Sequence, residues 1–95
     1  MKNADFHTLD VANACKRKLK IVFRNSGEMN GWFEAAGRRI AGITVPHGRK
    51  PIPPKTYKAM AAQLKIACED LDGLLECPFG LEQYLDRLRA QGLIT

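Results

Sequence analysis

The residues best equipped for chemistry cluster between Pro46 and Lys58: His47, Arg49 and Lys50 in the run Pro46-His47-Gly48-Arg49-Lys50-Pro51-Ile52-Pro53-Pro54, then Lys55 and Lys58. A histidine exchanges protons near neutrality, and Lys and Arg hold phosphate. The prolines of this run each fix their own φ and bias the preceding residue away from helix, so the loop is stiff and presents its cations on a rigid platform. More cations stand at Lys16, Arg17, Lys18 and Lys20, ahead of an apolar run, and at Arg38 and Arg39 between two others. Glu28, in a polar cluster, is a candidate base only with a raised pKa that turn residues seldom have. His7 reads as an exposed helix residue. No Gly-rich phosphate loop, Ser/His/Asp set or acidic cluster for magnesium is present in the chain. Cys15, Cys68 and Cys77 lack Cys-x-x-Cys spacing, and with two histidines they make no convincing metal set. The expectation is reduced, mostly buried thiols, with no metal and no cofactor.

Charge is spread unevenly. Residues 1–66 hold 13 Lys and Arg against 4 Asp and Glu, a balance of +9, while residues 67–95 hold 2 against 6, a balance of −4; together they give the chain's +5. So basic a body recruits polyanions, of which the phosphate backbone is the commonest in a cytoplasm. The acidic tail reads as a shield for the basic surface or a dock for a partner. No apolar run is long enough for a transmembrane helix, and the charged first twenty residues do not suit a signal peptide, so the expected location is cytoplasmic, with no membrane partner.

The elements that must position these residues follow from periodicity. Phe6, Leu9, Val11 or Ala12, and Cys15 fall at helical spacing over residues 5–17, with Asp5 or Thr8 as cap. Residues 19–23 are β-branched and aromatic and end at the turn-forming Arg24-Asn25-Ser26-Gly27. Residues 32–35 and 40–45 make two more strands around Gly37-Arg38-Arg39, with Gly42 a possible bulge. Tyr57, Met60, Ala61, Leu64, Ala67, Cys68 and Leu71 share one helical stripe, which predicts a single amphipathic helix over residues 55–72. Gly73 and Cys77-Pro78-Phe79-Gly80 interrupt it, and a last helix carrying Leu81, Tyr84, Leu85 and Leu88 ends near Gly92. The expected fold is α+β, a three-stranded antiparallel sheet packed by helices in the order α-β-β-β-α, plus a C-terminal helix. Residues 1–72 are expected to form the core domain and residues 73–95 an extension packed on it. Trp32, Phe33 and Tyr57 suit core or sheet-face positions better than base-stacking platforms.

Thr44-Val45-Pro46-His47, the basic residues that follow, Ile52-Pro53 and the helix started at Thr56 resemble the core of HicA-type toxins. These are small basic ribonucleases of bacterial toxin–antitoxin pairs, built on a double-stranded-RNA-binding-like fold. The resemblance covers about two thirds of the chain, and residues 44–66 are its specific part. It implies RNA as ligand, and in the family one histidine, after a Gly-Ser pair that follows the first strand, cuts it. The matching position here is Met29, or Glu28 or Asn30 if the turn is shifted by one; none is histidine.

The reading is therefore a HicA-like protein that binds RNA or a protein partner through Lys16, Arg17, Lys18, Lys20, Arg38, Arg39, His47, Arg49, Lys50, Lys55 and Lys58, and does not cut. One alternative is an active mRNA interferase restrained by an antitoxin, with His47 or Glu28 as the relocated catalytic group. Another is a mobile-element protein that blocks a nucleic-acid-binding host defence complex or sequesters an antitoxin.

Overall fold

The computed structural model describes every residue except 27, 77 and 95, and every other side chain except those of Asn25 and Ser26. Helix α1 spans Thr8–Lys18, strands β1, β2 and β3 span Val22–Ser26, Glu28–Ala35 and Arg38–Val45, and helices α2, α3 and α4 span Pro54–Gln63, Cys68–Glu76 and Leu81–Ala90. The strands form one antiparallel sheet in the order β1-β2-β3. This is the α+β order expected from the sequence, with the C-terminal helix in place.

Helix α1 starts later than predicted. Residues 3–5 form a single 3-10 turn, His7 is the N-cap, and its backbone N–H donates to the Asp10 carboxylate at 2.8 Å. Asp10 thus satisfies one amide beside the helix start, and neither Asp5 nor Thr8 is the cap. His7 is half-buried and bridges to Pro51, so it is not an exposed helix residue. Lys16, Arg17 and Lys18 occupy the last turn, where positive charge suits the helix dipole.

The first strand lies three residues downstream of the predicted run. Leu19 and Ile21, 1% and 2% exposed, drop into the core instead of joining the ladder, with Lys20 between them at φ 59°. Arg24, Asn25 and Ser26, predicted as a turn, pair with Asn30, Met29 and Glu28. Gly27, also in that predicted turn, lies outside the described residues. The bulge is not at Gly42. Phe33 pairs with Ala41 but Glu34 with Arg39, which makes Ile40 the extra residue. Without it Arg39 would face Ala35 on the core side; the one-residue slip turns Arg39 to the outer face, beside Trp32.

The predicted helix over residues 55–72 is two helices. Lys65 takes φ +66°, its N–H donates to the Ala62 carbonyl, and the Ile66 N–H reaches back to Ala61. This pair of bonds is the usual glycine-centred helix ending, formed here on lysine. Helix α4 meets the carbonyls freed by the break: the Tyr84 hydroxyl donates to Leu64 at 2.9 Å and the Gln91 amide to Lys65 at 2.6 Å. The buried Tyr84 ring also packs edge-on against Phe33, with centroids 4.8 Å apart. Helix α4 itself ends at Gly92, φ +75°, with the same bonding pattern. Tyr57, Leu64, Leu71, Leu74, Tyr84 and Leu88 are buried in one core, so residues beyond 72 supply part of it.

Candidate nucleic-acid interface

The loop over residues 46–53 is tied to the start of α1 by one buried side chain. The Thr8 hydroxyl donates to the Gly48 carbonyl at 2.6 Å and accepts from the Lys50 N–H at 3.0 Å, while the Thr8 N–H donates to the Lys50 carbonyl at 2.9 Å. Thr8 is 1% exposed, so these bonds are shielded from water on its side. Asn3 adds a bond to the Ile52 carbonyl at 2.9 Å, and Ile52 is buried as an anchor. Gly48, at φ +83°, supplies a turn that other residues take up with strain. Pro53 and Pro54 then set the start of α2, where proline lacks only an amide hydrogen that would have had no partner.

This scaffold exposes His47, Arg49, Lys50, Lys55 and Lys58 within one loop and the helix turn that follows it. Among the described residues, none of Arg49, Lys50, Lys55 and Lys58 is held in an ion pair. They are free to meet phosphate. The tie through Thr8 escapes a sequence reading, because a Thr at a helix start reads as a cap.

The other predicted cations are elsewhere. Arg38 and Arg39 sit at the far end of β3, and an eight-residue strand at about 3.4 Å per residue puts roughly 24 Å between its ends. Lys18 donates its ammonium to the Leu74 carbonyl and so ties α1 to α3. Lys16 lies 5.8 Å from the centre of the Phe23 ring. Arg39 stacks on Trp32 at 4.3 Å and pairs with Glu34 at 3.5 Å. Trp32 is a sheet-face residue; Phe33 and Tyr57 are core. The eleven predicted binding residues therefore do not form one surface.

Met29, one of the three positions the resemblance set against the family's histidine, is a strand residue 6% exposed, packed in the core opposite Asn25 and Val45. Asn30 accepts a hydrogen bond from Thr44 on the sheet at 2.8 Å. Glu28 is exposed at the strand start, and β3 leaves the ladder at Val45, so Glu28 and His47 stand at the same end of the sheet. Among the described residues no hydrogen bond or ion pair joins them, and no side chain orients either one. A proton-transfer pair needs such contact or a third group to orient it.

Three of the four acidic residues of α3, all but Glu69, are engaged in structure. Asp70 takes two bonds from Arg87 at 3.1 and 3.2 Å, and Glu76 pairs with Lys2 at 2.6 Å. Asp72, 9% exposed, accepts from the Tyr57 hydroxyl at 2.5 Å and the Lys2 N–H at 2.9 Å. Burial pushes the Asp72 carboxyl up, but these hydrogen bonds together with the N-terminal ammonium, 3.6 Å from its carboxylate, outweigh it and the net pKa lies below the ordinary carboxylate value. Burial raises the Tyr57 and Tyr84 hydroxyls, which stay protonated donors. Burial also pushes the Cys15 thiol up to about 12, so it is inert. Cys68 is half-buried, and Cys77 lies outside the described residues. Among the described residues no cluster suits a metal ion, and no helix is long and apolar enough to cross a membrane.

No protein-family model, curated protein or solved structure matches this chain. None of these comparisons bears on the resemblance to HicA-type toxins.

Proposed function

We propose that this chain binds structured RNA through the tied loop and the first turn of α2, and leaves the RNA intact. The observation that carries the reading is the Thr8 tie, which orders the loop bearing the unpaired Arg49 and Lys50 directly ahead of the unpaired Lys55 and Lys58 of α2. Ordering before binding removes part of the entropy that a floppy basic loop would lose on contact. A rigid loop and helix start suit A-form RNA, which folds of this order read by shape, through phosphates and 2′-hydroxyls. The +9 balance of residues 1–66 and the HicA-like segment support the same ligand. Binding without cleavage is supported by the buried Met29 and by the separate, unoriented Glu28 and His47.

The test uses an end-labelled RNA duplex of about 20 base pairs, longer than the roughly 16 that such folds span. Fluorescence anisotropy reports binding, and a denaturing gel of the same samples reports integrity. Bound and uncut duplex is the expected result. Cleavage that His47→Ala abolishes would make the chain a working interferase instead, and no binding would leave a protein partner as its ligand.

A further inference from the structure

A second feature lies on the β1 side of the sheet, and its open strand edge is at the end far from the loop. β1 begins at Val22, opposite Trp32, so Phe33, Glu34 and Ala35 of β2 pair with β3 alone. Beyond Val22 the chain bends under the sheet, and the Ile21 N–H bonds to Cys15 of α1 rather than to β2. The space where a longer β1 would lie is a groove of about 670 Å³, lined by Leu19, Val22, Leu81 and Leu85 beside the open strand edge. Val22 is 77% exposed, a large apolar side chain left to water at the mouth of an apolar groove. Lys20, Arg24 and Arg39 also line the groove, with Glu34 the one acid among them. Among the described residues, Lys20 and Arg24 make no ion pair.

We propose that this groove takes an extended peptide of alternating apolar and acidic residues, which adds as a short strand beside Phe33–Ala35. Three features of the site define that occupant. An open edge offers backbone donors and acceptors to a strand and to little else. The apolar floor between Leu19 and Leu85 accepts every second side chain of that strand. The cationic rim selects carboxylates on the alternate positions and disfavours a second copy of this chain, which would bring its own Lys20 and Arg24 against the first pair. The groove runs along the β1 side of the sheet, from Ala35 and Arg39 at the end of β3 far from the loop to Arg24, whose partner Asn30 pairs with Thr44 near the loop end.

Trp32 is the chain's single tryptophan and lines the groove, so its fluorescence reports occupancy. The probe is a synthetic peptide alternating Val or Ile with Asp or Glu. A saturable change in Trp32 fluorescence is expected, at least tenfold weaker for Arg24→Glu and for Val22→Asp, and absent for the same peptide with Lys in place of each acid. Both variants alter exposed positions, and circular dichroism checks that they fold. Equal response to the Lys peptide, no loss in either folded variant, or self-association of the free chain that blocks the peptide would overturn the proposal, whatever the RNA result.

Discussion

Replacing Thr8 by valine separates preorganisation from charge. Valine keeps the shape of threonine but removes the hydroxyl that donates to Gly48 and accepts from Lys50. Two hydrogen bonds at about 0.5–1.5 kcal/mol each set an upper range of about 1–3 kcal/mol. Gly48 and Lys50 are exposed, so water replaces part of the bonding, and the expected loss is about 1–2 kcal/mol. For a domain of this size that lowers Tm by roughly 4–16 °C, read by thermal or urea unfolding. The Thr8 N–H bond to the Lys50 carbonyl survives the change, so the loop loosens without detaching. RNA affinity should then fall about 3- to 30-fold, the equivalent of roughly 0.7–2 kcal/mol of loop ordering. The number of phosphates contacted is unchanged, so the slope of log affinity against log salt should stay the same. Unchanged stability and affinity would refute the tie, and a flatter slope would show that Thr8→Val displaces cations rather than loosening them.

Other expected outcomes test the frame around the site. Lys65→Gly should stabilise by about 0.5–1 kcal/mol in urea unfolding, because relief of roughly 1–2 kcal/mol of left-handed strain exceeds the greater unfolded-state freedom of glycine, about 0.4–1 kcal/mol. Gly31→Ala should destabilise by about 1–3 kcal/mol, since its Cβ would stand 2.6 Å from Ile21 Cγ2 and 2.8 Å from Phe23 Cδ1, both packed beneath the sheet. Asp72 has a folded pKa below its unfolded value near 3.8, so its contribution to stability is complete above that value and is lost as pH falls through the lower, folded one. Unfolding followed from pH 7 to pH 2 should show that loss in the native chain, with a shallower acid limb in Asp72→Asn.

Element order was legible because burial patterns survive at low precision. Alternation across residues 40–45 and the stripe through Tyr57, Met60, Ala61 and Leu64 needed no tertiary knowledge. Helix breaks were legible only where glycine marked them. Gly92 announced the end of α4, whereas Lys65 carries the same conformation on a residue that ordinarily continues a helix, held there by Tyr84 of α4 and by Gln91, which caps its C-terminus. The first strand was misplaced because Leu19 and Ile21 are as apolar as strand residues and are buried without joining the sheet. At the site, proline spacing identified the stiff loop. The Thr8 tie spans 40 residues of sequence, and no local signal marks it. Distance along the chain also hid the division of the cations between the two ends of β3, and the open edge of β2 followed only once the start of β1 was placed.

The most direct test of the RNA reading is the salt dependence of duplex binding in the native chain and in a variant with Arg49, Lys50, Lys55 and Lys58 all changed to Ala. If all four contact phosphate, the log–log slope should flatten by roughly 0.7–0.9 per residue, about 3 in total, while Arg38→Ala with Arg39→Ala leaves it unchanged. An unchanged slope in the four-residue variant, or the larger flattening in the arginine pair, would contradict the assignment of RNA to the loop.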